Sequence, residues 1–335
     1  MSDLPFAHGG APLRGRLRAE VEDFFVDEQL GFDATGSGEH WLVHIEKRGA
    51  NTGFVAKQLA AFAGVTERDV GYAGMKDRHA VTRQSFSVLA KKGRDTDWSQ
   101  CAIEGVVVLS VQRHARKIQR GALRGNAFVI RLRDIEGDRE AAATRIAAIA
   151  TQGVPNYFGE QRFGRGGGNV DKALAMFAGG RVERAERSIL LSAARSELFN
   201  AVLAARVADG SWQSALDGDV FQLDGRSAIF GPEPIGDELR DRVARGDIHP
   251  TGPMFGRGEL RSTDAVRALE SAVFDAHPEL CAGLIAAGLD QERRSLRLMA
   301  RDFHCDFDGS DLVARFTLPA GAYATTVLRE VIHWA

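Results

Sequence analysis

Residues 70–86 read VGYAGMKDRHAVTRQSF, the most informative stretch of the chain. Gly71 and Gly74 bracket a turn, and Lys76, Asp77, Arg78 and His79 then crowd together ahead of a strand-like run at 84–90. A carboxylate among cations is held ionised at neutral pH, which suits a nucleophile or a base. The competing account is that Asp77 caps a short helix and its cations are solvated, because structural charges also cluster. Lys76 and Arg78 flank Asp77 directly, and neighbours in an extended chain point to opposite sides. Both are therefore better placed to reach a phosphate than to pair with the carboxylate.

Upstream, residues 39–47 (EHWLVHIEK) alternate Trp41, Val43 and Ile45 against polar neighbours, the period-two pattern of a strand. Asn51 then precedes TGFVAKQLAAFAGV, where Val55, Leu59 and Phe62 recur at helical spacing, so an N-cap and an amphipathic helix are expected. Downstream, strands are expected at 105–111 and 126–133 and an Ala-rich helix at 139–151. The character changes near Gly153. From there the chain is Gly-rich, then helical over 171–178 and 184–209, irregular over 217–260, and helical again to about residue 301. Residues 311–318 return to a strand pattern, followed by a PAG turn and a helix at 325–333. Such a tail is marginal alone, so it should complete the N-terminal sheet. The expected organisation is a discontinuous α/β domain over 1–153 and 302–335, with 154–301 inserted into it.

Composition narrows the class. The 335 residues exceed what one average domain needs, and 44% hydrophobic with 26% charged residues is an ordinary globular balance. A formal net charge of -2 rules out a histone-like polycation, so any nucleic-acid contact must come from a local basic surface. No apolar run approaches the roughly 18 residues of a membrane span, and the first residues carry no apolar signal region. Cys101, Cys281 and Cys305 lie far apart without a CxxC pair, which argues against disulfide or zinc frameworks. HExxH, GxSxG, GxGxxG and P-loop patterns are absent, and the nine histidines are scattered. A soluble cytoplasmic protein without metal or cofactor is the expectation.

Residues 105–133 contain no Asp or Glu but carry Arg113, Arg116, Lys117, Arg120, Arg124, Arg131 and Arg133. Charge segregated in this way is the footprint of a phosphate-backbone contact, against the plainer account of a solvated loop between strands. Asn126 and Phe128 at its end offer an amide for base edges and a ring for stacking. In residues 156–164, NYFGEQRFG, aromatics interleave with Gln161 and Arg162. These rings are more simply read as packing at a domain junction than as base platforms.

The segment GYAGMKDRHAVTRQ resembles the signature of the tRNA pseudouridine synthase D (TruD) family. Glu22-Asp23-Phe24 with Gly31-Phe32, then GEHWLVHIEKRGANT, GALRGNAF, NYFGEQRFG, LSAARSELFN and LPAGAYATTVLRE are similar to the family's other blocks, in order. The resemblance runs from about Gly15 to Glu330 and is weakest over 217–260. It implies a mixed, mainly antiparallel sheet in a catalytic α+β domain, a helix-rich insertion domain, and a cleft between them. It also implies an isomerase that converts a uridine of tRNA, typically position 13 in the D arm, to pseudouridine without metal or redox cofactor. Asp77 is then the essential aspartate, and Phe24, Asn126 and Tyr323 hold the uridine-contact positions, many relatives having Phe at the last. Phe128 becomes the stacking ring, and Arg18, in the strand preceding Phe24, the ion-pair partner of Asp77. Lys76, Arg78, His79, Arg113, Arg116, Lys117, Arg120, Arg124 and Arg162 are the expected RNA contacts. The implied partner is tRNA, with no membrane, no obligate protein partner, and nothing that demands more than a monomer. The main rival is a catalytically silent RNA-binding protein on the same fold, which has no need of Asp77. An unrelated enzyme acting on a small anion would not need so long a basic stretch.

Overall fold

The computed structural model describes residues 4–91 and 96–334. The chain first lays down β1 (Leu13–Leu17), β2 (Phe24–Leu30), β3 (His40–Arg48), α1 (Thr52–Ala63), β4 (Val70–Tyr72), β5 (Val81–Leu89), β6 (Val106–His114), β7 (Leu123–Gly137) and α2 (Arg139–Gln152). There follow β8 (Val154–Pro155), α3 (Gly168–Phe177), α4 (Arg184–Ala208), β9 (Phe221–Leu223), β10 (Ile229–Phe230), α5 (Asp237–Arg245), β11 (Ile248–Met254), α6 (Asp264–Asp275), α7 (Pro278–Ala286), β12 (Glu292–Ser295) and β13 (Arg297–Leu298). The last elements are β14 (Arg301–Asp308), β15 (Asp311–Pro319), α8 (Ala324–Leu328) and β16 (Ile332–Trp334).

Two compact units result. One comprises Pro12–Glu140, Arg301–Gly321 and the C-terminal residues from Ile332; the other comprises the N-terminal residues through Ala11, Ala141–Ala300 and Ala322–Val331. These limits differ from boundaries at 154 and 302. Residues 322–331 group with the second unit because Arg329 donates to Leu4 O (2.6 Å) and the Ala7 and His8 amides donate to Glu330.

The first unit is built on a ten-stranded sheet in the order β14-β15-β7-β2-β5-β3-β6, with β1, β16 and β4 branching from it. Among the described residues, β2–β5 and β1–β16 pair in parallel and the sheet's other ladders are antiparallel. The apolar alternation of β3 buries Val43 and Ile45 beneath Val55 and Leu59 of α1, with Phe86 and Val88 of β5 alongside. Burial of each such side chain is worth about 1.5–3 kcal/mol. Asn51 does precede α1 with extended backbone, but its side chain makes no capping bond. Gly64, at φ 68°, ends the helix in the left-handed conformation that glycine adopts without strain.

In the second unit α4 supplies the spine, packing Leu190, Leu198 and Val202 against Phe274 of α6 and Leu280 and Leu284 of α7. It is the one described helix long and apolar enough to cross a membrane, and 56% of its apolar window is buried in the protein. Its buried Arg206 pairs with Asp219 at 2.9 Å and donates to Ser211 O and Ser214 O. The stretch read as irregular, 217–260, holds β9, β10, α5 and β11, and β12 and β13 precede residue 301 where helix was expected. At the end of the chain the expected helix over 325–333 is only the short α8, and β16 then pairs in parallel with β1.

Candidate active site

The segment that joins β4 to β5 carries Asp77 and contains no helix, so the helix-cap account of this aspartate does not hold. Instead the Asp77 carboxylate accepts the His79 amide (3.0 Å) and pairs with Arg18 Nη2 at 2.8 Å. Both side chains of the pair are 28% exposed, open enough for a substrate to reach. Arg18 lies one residue beyond β1 rather than within it, at φ 59°, a conformation that strains a side-chain-bearing residue. Its guanidinium lies over the Phe24 ring, with its carbon 4.4 Å from the centroid, which holds the cation while Nη2 meets the carboxylate.

The sheet register explains what lies beneath. Side chains two apart on a strand share a face. Phe316, Phe128, Val26, Thr82 and Lys47 therefore form one cross-strand row over β15, β7, β2, β5 and β3. The neighbouring rows set Leu318, Asn126 and Glu28 together and Ile45 opposite Gln84. Polar side chains thus stand at positions whose alternation is otherwise apolar, and Lys47, Gln84, Glu28 and Asn126 reach the Asp77 segment. Gln84 Nε2 donates to Gly74 O (2.7 Å), and Thr52 Oγ1, at the start of α1, accepts the Lys76 amide (3.0 Å). Lys76 Nζ pairs with Glu28 at 2.7 Å and donates to Asn126 Oδ1, also at 2.7 Å. Lys47, completely buried, donates to Ala50 O (2.7 Å) and to Asp77 O (2.9 Å). Sequence reasoning missed Lys47, Glu28, Gln84 and Thr52.

Two expectations change here. Lys76 is not available to a phosphate, because its side chain is 8% exposed and its ammonium is engaged by Glu28 and Asn126. Phe128 is not an open stacking platform. It is 8% exposed, stacks on Phe316 (centroids 5.4 Å, 27° between planes) and meets Phe24 edge-on at 6.2 Å. It instead buttresses Phe24, itself 5% exposed, which in turn carries Arg18.

The basic connection between β6 and β7 is stitched to this site. Gly121 N–H donates to Ala73 O (2.7 Å), and Ile118 N–H to Ser87 Oγ (2.8 Å). Arg116, Arg120 and Arg124 are exposed, as are Arg78 and His79. Arg120 stacks on Tyr72 and Arg113 on Trp41, while Lys117 donates to Arg68 O. Arg131 and Arg133 are committed to acids: the first to Asp308 and Asp311, the second to buried Asp23. Among the described residues no cluster of three or more His, Cys, Asp or Glu could hold a metal ion.

Tyr323 and Arg162 belong to the second unit. Arg162 Nε donates to Tyr323 Oη (3.1 Å) and its Nη1 to Ser192 Oγ (2.7 Å), so the tyrosine hydroxyl accepts a hydrogen bond within the protein. Phe158 meets Tyr323 edge-on and carries Arg162 and Arg294 over its ring at 5.4 and 4.3 Å. Burial pulls the Arg294 guanidinium down to about 10, with Tyr323 opposing the shift and Arg162 adding to it. It remains a cation at neutral pH.

The fold matches that of a solved structure titled a tRNA pseudouridine synthase D (TruD) from Methanosarcina mazei, which superposes with a TM-score of 0.73 over 97% of this chain and 95% of its own, at 22% identity. The family model for tRNA pseudouridine synthase D (TruD) matches residues 5–172 and 167–331. The tRNA pseudouridine synthase D of Xanthomonas campestris pv. campestris is 50% identical over 99% of this chain and 95% of its own length. That of Methylococcus capsulatus is 48% identical over the same shares. The chain belongs to the TruD family of isomerases.

Proposed function

We propose that this chain converts one uridine of tRNA, position 13 in the D arm, to pseudouridine, with Asp77 as the essential carboxylate. Family membership supports the reaction class and the tRNA substrate, and the resemblance of the sequence blocks supports the D-arm position. The observation that carries the residue assignment is the Arg18–Asp77 ion pair on a loop fastened from below. The C1′–N1 bond breaks, the uracil turns, and a C1′–C5 bond forms. The C5 hydrogen is lost to water, N1 gains a proton, and no electrons are exchanged. Attack on C1′, attack on C6 and removal of a sugar proton all require an ionised carboxylate at the place Asp77 occupies. The uridine must leave the stack to reach it. Arg78, His79, Arg116, Arg120 and Arg124 are the cations exposed to grip the surrounding phosphates.

The test is tritium release from tRNA carrying uridine labelled at C5, with no added cofactor. Native protein should release tritium, and Asp77→Asn should bind tRNA without releasing any. Carbodiimide mapping of the product should give a primer-extension stop one nucleotide 3′ of position 13. Release by Asp77→Asn rejects the carboxylate assignment, a stop elsewhere rejects the D-arm assignment, and binding without release by the native chain leaves an RNA-binding protein.

A further inference from the structure

We propose that Lys47 is a positioning residue: its buried ammonium holds the Asp77 main chain where the carboxylate meets the Arg18 guanidinium. This rests on the reading of Asp77 as the essential carboxylate. Lys47 sits on β3 at the register of Val43 and Ile45, an apolar stripe that stability alone would continue with an apolar residue. A fully buried ammonium is costly unless its donors are satisfied. Among the described residues no carboxylate pairs with it, and it donates to the carbonyls of Ala50 and Asp77. Ala50 leads into α1, whose Thr52 receives the Lys76 amide, so one ammonium ties the start of α1 to Asp77 itself. Gln84 and Glu28 hold the loop earlier, at Gly74 and Lys76; Lys47 grips the main chain of the reacting residue.

The surrounding charges are few. Opposite Lys47 stand Thr82 on β5 and Val106 on β6, both uncharged. Glu46 and Arg48 alternate to the other face and pair with Arg83 and Glu22, and Arg78 donates to Gly49 O. Burial pulls the ammonium down to about 8, with Asp77 opposing the shift and Lys76 adding to it. Below that pH the bond to Asp77 O is charge-assisted, and above it a neutral amine donates more weakly.

The experiment measures kcat and KM for tRNA by tritium release, with melting curves, for the full-length Lys47→Met and Lys47→Arg proteins. Lys47→Met should lose about 10- to 100-fold in kcat, the scale of a displacement near 1 Å, with KM nearly unchanged. Lys47→Arg, whose cation does not titrate in this range, should recover part of kcat and lose the alkaline fall expected of native protein near pH 8. Full kcat in a folded Lys47→Met, a rise in KM equal to the fall in kcat, or an alkaline fall unmoved in Lys47→Arg overturns the proposal. Should Lys47→Met not fold, the comparison of Lys47→Arg with native protein decides, because a kcat and pH profile identical in the two are incompatible with the role. Asp77→Asn measured in parallel separates the two readings. Its activity would reject Asp77, whereas an inert Asp77→Asn beside a fully active Lys47→Met rejects Lys47 alone.

Discussion

Two irregular segments of the sheet unit lie side by side and are built on opposite principles. Residues 74–77 are tied by buried polar side chains from four elements: Gln84 on β5, Thr52 on α1, Glu28 on β2 and Lys47 on β3. The connection at 115–122 is tied mainly through its own backbone, at Ile118 and Gly121, with Lys117 reaching Arg68 O, and leaves Arg116 and Arg120 exposed. The first arrangement is expensive. Removing one partner of a buried pair such as Glu28–Lys76 strands a charge at a cost of about 3–5 kcal/mol. In exchange it leaves Asp77 little freedom. The second costs almost nothing, and exposed cations act mainly through counterion release. Geometry for the reaction should therefore depend on the buried set, and attraction of the polyanion on the exposed one.

The largest expected effect lies at the ion pair. Arg18→Met should lower kcat about 100-fold while tRNA affinity and its salt slope stay as in the native protein. A loss of affinity of the same size would place Arg18 with the phosphate contacts and break the contrast. Phe128→Leu comes next. Loss of ring packing against Phe316 and Phe24 should cost about 1–2 kcal/mol of stability and about tenfold in kcat, with KM unchanged. Thermal melts and steady-state kinetics read both, and an unaltered kcat would separate Phe24 and Arg18 from their buttress. The smallest effect on turnover belongs to the connection. Arg116→Gln, Arg120→Gln and Arg124→Gln combined should leave kcat at saturating tRNA unchanged and flatten the log–log salt slope of binding by about 2. A slope that does not move would mean these side chains face away from the RNA.

Much of the local structure was legible because period-two and helical patterns are properties of short stretches. The alternation at 39–47 became β3, and the spacing after Asn51 became α1. The same rule held an unread signal: the stripe Trp41, Val43, Ile45 continues onto Lys47, and Phe24, Val26 onto Glu28, so each polar residue stood in a buried register. Such a residue must find buried partners, though its sequence neighbourhood does not name them. The stretch 217–260 was illegible for another reason. β11 contains Pro250 and Pro253 and still lies between β9 and β12, a place where proline usually argues against a strand. The tail misled because residues 332–334 owe their strand conformation to β1, far away in sequence.

By itself, then, the sequence determined the elements with clean periodicity, an aspartate set among cations, a basic stretch free of acids, and membership in a family. Only the tertiary structure decided that Lys76 turns inward while Arg78 and His79 remain outside, and that Phe128 is packed between Phe316 and Phe24. The physical reason is register. A side chain's face is written locally by the strand period, but its partners are set by which strands lie alongside and by how loops close between them.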